Sequence, residues 1–169
     1  MSKRLRIWVA VAAVSLLSAL VSAVFGIRAA MLVLPFYSSA VLLVSEQDFE
    51  SVARRLTGSG VTAASPATIT GKSGIRHEFS LVVGGSAKPK VVVDEALSVS
   101  EVNELKVLAF YVKVFDVGPE KAILCVSPRL DQRARNLARE YKITVLENEQ
   151  PRKLIPMAGD AIRGILAGK

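Results

Sequence analysis

Residues 122–146 read AILCVSPRLDQRARNLAREYKITVL, and this stretch decides the fold. Ala122 to Val126 is an unbroken apolar run of strand length, and Ile143 to Leu146 is a second. Between them, after Pro128, Asp131 to Tyr141 puts Ala134, Leu137, Ala138 and Tyr141 on one helical face. Strands without polar alternation are covered on both faces, and a strand–helix–strand connection joins parallel neighbours. The stretch therefore predicts an α/β domain.

Working outward, Ser98 or Ser100 caps a long helix whose apolar residues Val102, Leu105, Leu108, Ala109, Val112 and Phe115 are assigned to the core, and Gly118-Pro119 stops it. Two strands precede it, His77 to Val83 (HEFSLVV) and Lys90 to Glu95 (KVVVDE), joined by a turn at Gly84–Pro89. Residues 61–76, rich in Thr, Ser, Ala and Gly with Pro66 among them, read as a weak strand or irregular hairpin. Ser45, Glu46 and Asp48 open an amphipathic helix that buries Phe49, Val52, Ala53 and Leu56 and ends at Gly58-Ser59-Gly60. The predicted domain, residues 45–150, is thus αββαβαβ around a small mixed sheet. A tail, 151–169, adds a short helix from Ala158 to Leu166 with Ala161, Ile162 and Ile165 on one face.

The first 44 residues are of another kind. Ile7 to Phe25 is 19 residues without a charge, and at about 1.5 Å per residue such a helix crosses most of a hydrocarbon core of about 30 Å. A second charge-free run, Ala29 to Val44, contains Pro35. Gly26-Ile27-Arg28 between the runs suits the turn of a transmembrane helical hairpin, 7–25 and 29–44. Lys3, Arg4 and Arg6 before it and Arg54 and Arg55 after it would then both be cytoplasmic, in keeping with the positive-inside rule. Two alternatives remain: a cleaved signal ending near Val21-Ser22-Ala23, or an interfacial second segment bent at Pro35. The hairpin places the protein in the cell membrane with its carboxy-terminal domain in the cytoplasm.

This partition also explains the composition. Of 169 residues 51% are hydrophobic, the mean hydropathy is +0.39 and the net charge is +7, which excludes a disordered chain or a disulfide scaffold. Residues 45–169 hold all 15 acids and 18 of the 22 bases, a surplus of only three. Overall basicity therefore argues weakly for nucleic acid.

The element order, a helix before a β-hairpin and then two β–α crossings, resembles the restriction-endonuclease-like fold, in particular the Mrr-like type IV domains. The similarity spans about residues 47–148. It is carried by Asp48-Phe49-Glu50, by Gly74-Ile75-Arg76-His77-Glu78-Phe79-Ser80, and by ARNLAREYKITVLE at 134–147. The resemblance implies a metal-dependent nuclease site: a helix acid matched by Glu50, a metal-binding Asp where Ser80 stands, an acidic residue matched by Asp94, and a lysine where Ala96 stands. Serine is a poor substitute for a carboxylate ligand, and alanine carries neither charge nor proton. No nuclease activity and no cofactor are expected. Were the enzyme active, Glu50, Glu78 and Asp94 would have to converge on Mg²⁺.

The remaining candidates are weak. Gly71-Lys72-Ser73 lacks the glycine of a phosphate loop, since Pro66 stands there, and a strand follows it. His77 is the sole histidine and Cys125 the sole cysteine, too few for zinc; a structural hydrogen bond and a buried thiol are expected instead. Arg129, Arg133, Arg135, Arg139 and Lys142 line the Asp131 helix and its entry and could meet DNA phosphates, although Asp131 can pair with Arg135 at i,i+4. The expected function is a membrane-anchored, non-catalytic nuclease-like domain. It would bind nucleic acid, or assemble with itself or another protein through the tail helix and the sheet edge.

Overall fold

The computed structural model describes residues 49–85 and 88–168. The expected membrane hairpin, 7–25 and 29–44, lies outside them, as does the helix opening at Ser45, Glu46 and Asp48. Among the described residues no helix is long and apolar enough to cross a membrane. In chain order the elements are α1 (residues 49–58), β1 (Ala63–Ala64), β2 (Ala67–Thr70), β3 (Arg76–Phe79), β4 (Leu81–Gly85) and β5 (Lys88–Leu97). There follow α2 (Glu104–Val117), β6 (Lys121–Ser127), α3 (Gln132–Glu140), β7 (Thr144–Glu147) and α4 (Pro151–Leu166).

The main sheet has the order β1-β4-β5-β6-β7. Its first two pairings are antiparallel, and β5–β6 and β6–β7 are parallel, in register at Val93↔Ile123 and Ile123↔Thr144. The expected α/β class with a mixed sheet is thus present. Both faces are covered, which is why β6 shows no polar alternation. On one face Leu81, Val83, Val91, Val93, Ile123 and Cys125 meet α1 and α4. On the other Val82, Val92, Leu124 and Val126 meet α2 and α3.

Three differences from the expected layout have physical causes. The run at 77–83 is not one strand. Phe79 joins the α2 side of the core and Leu81 the α1 side, yet residues two apart in a regular strand share a face. The chain therefore breaks at Ser80: β3 leaves to pair with β2 in a separate two-stranded flap, while β4 enters the main sheet.

The second difference is the buried face of α2. Val107 and Phe110 are buried, together with Val102 before the helix. Leu105, Leu108, Ala109, Val112 and Phe115, expected in the core, are exposed. The helix carries two apolar stripes, and the one that wins places Phe110 edge-on to Phe79, with ring centroids 6.5 Å apart. Its N-cap is Asn103 rather than a serine, and Gly118, at φ 68°, ends it as expected.

The third is the tail. The α4 helix runs 16 residues and starts at Pro151, a position whose missing N–H costs nothing. It buries Leu154, Ile155, Ala158 and Ile162 against the sheet, so the tail is part of the core.

Candidate functional site

Ser80 and Asp94 meet where the flap leaves the main sheet. On β5, Asp94 follows Val93 and points to the α2 side, in step with Val92 and Ala96. Its Oδ1 accepts hydrogen bonds from the Ser80 hydroxyl at 3.2 Å and the Glu95 amide at 3.1 Å. Its Oδ2 accepts from Lys113 Nζ at 2.7 Å. The same ammonium donates to the Glu78 carbonyl at 3.0 Å and lies 5.6 Å from the centroid of the Phe79 ring. Ser65 Oγ donates to the Ser80 carbonyl at 2.6 Å. Ser65, Pro66, Glu78, Phe79, Ser80, Asp94 and Lys113 line a small cleft.

Three of the residues picked from the sequence, Glu78, Ser80 and Asp94, therefore line one cleft. The other two do not. Glu50 sits exposed on α1, across the sheet, 3.9 Å from Arg54. Ala96 is buried in the core on the α2 side. Lys113 is not evident from sequence because it contacts Asp94 from 19 residues away on a helix that turns a different face to the sheet than its apolar pattern predicts. Once Phe110 and Val114 face the sheet, Lys113 falls at the edge of that face.

The carboxylate residues lining the cleft are Glu78 and Asp94. Hard cations of the Mg²⁺ type want several oxygen ligands, typically with carboxylates among them. Among the described residues no group of three or more His, Cys, Asp or Glu could hold a metal. The Asp94 carboxylate is paired with the Lys113 ammonium at 2.7 Å.

The basic helix is less free than its sequence suggests. Asp131 does not pair with Arg135; it caps α3, accepting from the Ala134 amide at 2.7 Å. Arg135 instead reaches Glu147 at 3.1 Å, and Arg129 holds Glu101 at 2.7 Å. Arg133, Arg139 and Lys142 are exposed. Arg133 and Arg139 are six positions apart, about 120° around the helix, so they form no single stripe.

The lone histidine has the structural role expected of it. His77 Nε2 lies 2.7 Å from Asp116 Oδ2, which also accepts from the Ser73 hydroxyl at 2.6 Å, while Oδ1 accepts from the Ser73 amide at 2.8 Å. This cluster latches the β2–β3 flap to the end of α2, and it is the role taken by the Gly71-Lys72-Ser73 segment. A Cβ at Gly71 would overlap the Asp116 carboxylate. The Ser73 hydroxyl, the His77 ring and the Ser73 amide together hold the Asp116 pKa down to about 2. Above pH about 4 the carboxylate is charged whether the chain is folded or not, and the latch contributes in full. Between pH about 4 and 2 that contribution should fade. Acid titration of the flap amides by hydrogen exchange should show protection falling across this window, and Asp116→Asn should remove the dependence; an unchanged titration would rule the latch out. Burial pushes the Cys125 thiol well above its ordinary range, which leaves it unreactive.

These features define a mixed α/β domain, helices on both faces of a five-stranded sheet, with a polar cleft where its flap departs. No family model matches the chain, and no curated protein is similar to it. Among solved structures it is similar to the crystal structure of a protein of unknown function, AF1548. The two share 13% identity with a TM-score of 0.50, over 69% of this chain and 66% of that one. This is a likeness of fold alone.

Proposed function

We propose that this chain is a membrane-anchored protein whose cytoplasmic α/β domain is a non-catalytic relative of the Mrr-like endonuclease domains and acts in assembly. The membrane part rests on the two charge-free runs, 7–25 and 29–44, and the basic residues flanking them. The element order, a helix, a hairpin and two β–α crossings, supports the relationship to the nuclease fold. The observation that carries the non-catalytic reading is that a serine hydroxyl, Ser80, and not a second carboxylate, stands 3.2 Å from Asp94 Oδ1.

Assembly is favoured over nucleic-acid binding because two of the five basic residues, Arg129 and Arg135, are held by Glu101 and Glu147. Exposed Arg133, Arg139 and Lys142 keep DNA as a second reading, which requires a salt-sensitive affinity for duplex. The full chain in detergent micelles, given Mg²⁺ or Mn²⁺, should leave plasmid and linear duplex intact. Metal-dependent cleavage abolished by Asp94→Ala would overturn the reading. Duplex binding that weakens with salt and on Arg133→Ala/Arg139→Ala would replace assembly with nucleic-acid binding.

A further inference from the structure

The α2 stripe that the core leaves out is itself patterned. Leu105, Leu108, Val112 and Phe115 are 66%, 41%, 55% and 70% exposed. Their spacing of three, four and three is that of a coiled-coil seam, while Val107 and Phe110 hold the opposite side of the helix to the sheet. The stripe is also symmetric about residue 110: positions 105 and 115 are equidistant from it, and so are 108 and 112. We propose that two copies of this chain pair through α2, antiparallel about a twofold axis near residue 110. Leu105 then meets Phe115 of the second copy and Leu108 meets its Val112, a self-complementary contact of the kind a twofold requires. Ala109, exposed beside the middle of the stripe, lets the helices approach closely.

One flanking charge pair is complementary in the same direction, the Asp116 carboxylate at the end of α2 being already held by Ser73 and His77. Glu104 opens α2. At its other end the Lys72 amide donates to the Asp116 carbonyl at 3.0 Å, and the Lys72 ammonium lies beside Gly118. An antiparallel pair brings Glu104 of each copy toward Lys72 of the other, whereas a parallel pair sets like beside like. The flanks of the stripe are mixed in charge, Lys72 and Lys106 against Glu101 and Glu104, and not the basic flanks that suit an anionic lipid surface. One helix pair is a small interface and gives a weak dimer. Confinement in a membrane would raise its effective concentration.

The role in assembly rests on the function proposed above; the dimer itself rests on α2. The test uses the full chain in detergent micelles, with buried Cys125 left in place. Leu108→Cys mixed with Val112→Cys should form an oxidised dimer several-fold more readily than either variant alone. Val112→Glu, present twice in a symmetric contact, should weaken self-association about tenfold or more with circular dichroism unchanged. A chain that stays monomeric at about 100 μM, well above a micromolar dissociation constant, would overturn the dimer. So would a Lys153→Cys control on α4 that cross-links equally well. Val112→Glu that reduces binding to phosphatidylglycerol vesicles but leaves self-association intact would assign the stripe to lipid instead. Plasmid cleavage would defeat the function proposed above and leave the dimer standing; a missing dimer without cleavage defeats the dimer alone.

Discussion

Phe110→Ala is expected to cost the fold about 3–5 kcal/mol, the range for deleting a buried aromatic ring. Phe110 is 3% exposed and, with Val107, carries the contact of α2 with the sheet. Its edge-to-face contact with Phe79 also ties the β2–β3 flap to the same core. Collapse around the gap is limited because Phe79, Val92 and Leu124 are themselves buried in the same core. For a domain whose whole stability is of order 5–15 kcal/mol the loss is large. Urea denaturation of dilute protein should show it as a lower midpoint with little change in slope. Phe115→Ala provides the contrast: at 70% exposure it should move monomer stability by no more than about 0.5 kcal/mol. If the two variants exchanged their effects, the buried face of α2 would be the other stripe.

Lys113→Ala is expected to destabilise by about 1–3 kcal/mol. The substitution strands the Asp94 carboxylate, whose side chain is 19% exposed, without its ammonium partner. It also releases the Glu78 carbonyl that the same group satisfies. A fully buried pair would lose more, about 3–5 kcal/mol; here Lys113 is 33% exposed and water screens part of the loss. Asp94→Asn alone should cost less, because the amide still accepts from Ser80 or Lys113. The double variant, Lys113→Ala with Asp94→Asn, should recover much of the deficit. A double-mutant cycle by urea denaturation should give a coupling of about 1–2 kcal/mol. Coupling below about 0.3 kcal/mol would mean that the pair is a surface contact and that the cleft is not organised around it.

Features encoded by short-range pattern were legible. The Ala122 and Ile143 runs became neighbouring parallel strands, Asp131 and Gly118 mark helix ends, and Ala134 and Ala138 face inward. Features set by a contest between two equally good patterns were not. The α2 helix offers apolar stripes at 105/108/112/115 and 107/110/114/117, and the choice between them is made by distant core partners, Phe79 among them. The HEFSLVV run alternates as one strand should, and nothing local reveals that Phe79 and Leu81 serve opposite faces. The site followed the same division. Ser80 and Asp94 were picked through the family resemblance, as the positions of a worn metal site, and the structure brings them within 3.2 Å. Lys113 is illegible locally because its partner Asp94 is distant in sequence and because Lys113 itself lies on the helix whose buried face the apolar pattern leaves open.

The break at Ser80 gives the sheet unequal roofs. On the α1 side two helices cover it, while on the α2 side the flap joins two helices and delivers Ile69 and Phe79 into the same core. The cleft is the gap left under the edge of that third roof piece. Phe79, which closes the core, is also a cleft wall. A change at Ser80 or Asp94 therefore disturbs the hinge between flap and sheet before it disturbs any chemistry. Whatever this cleft does, its loss and the loosening of the roof would arrive together, and only variants matched in stability would tell the two apart.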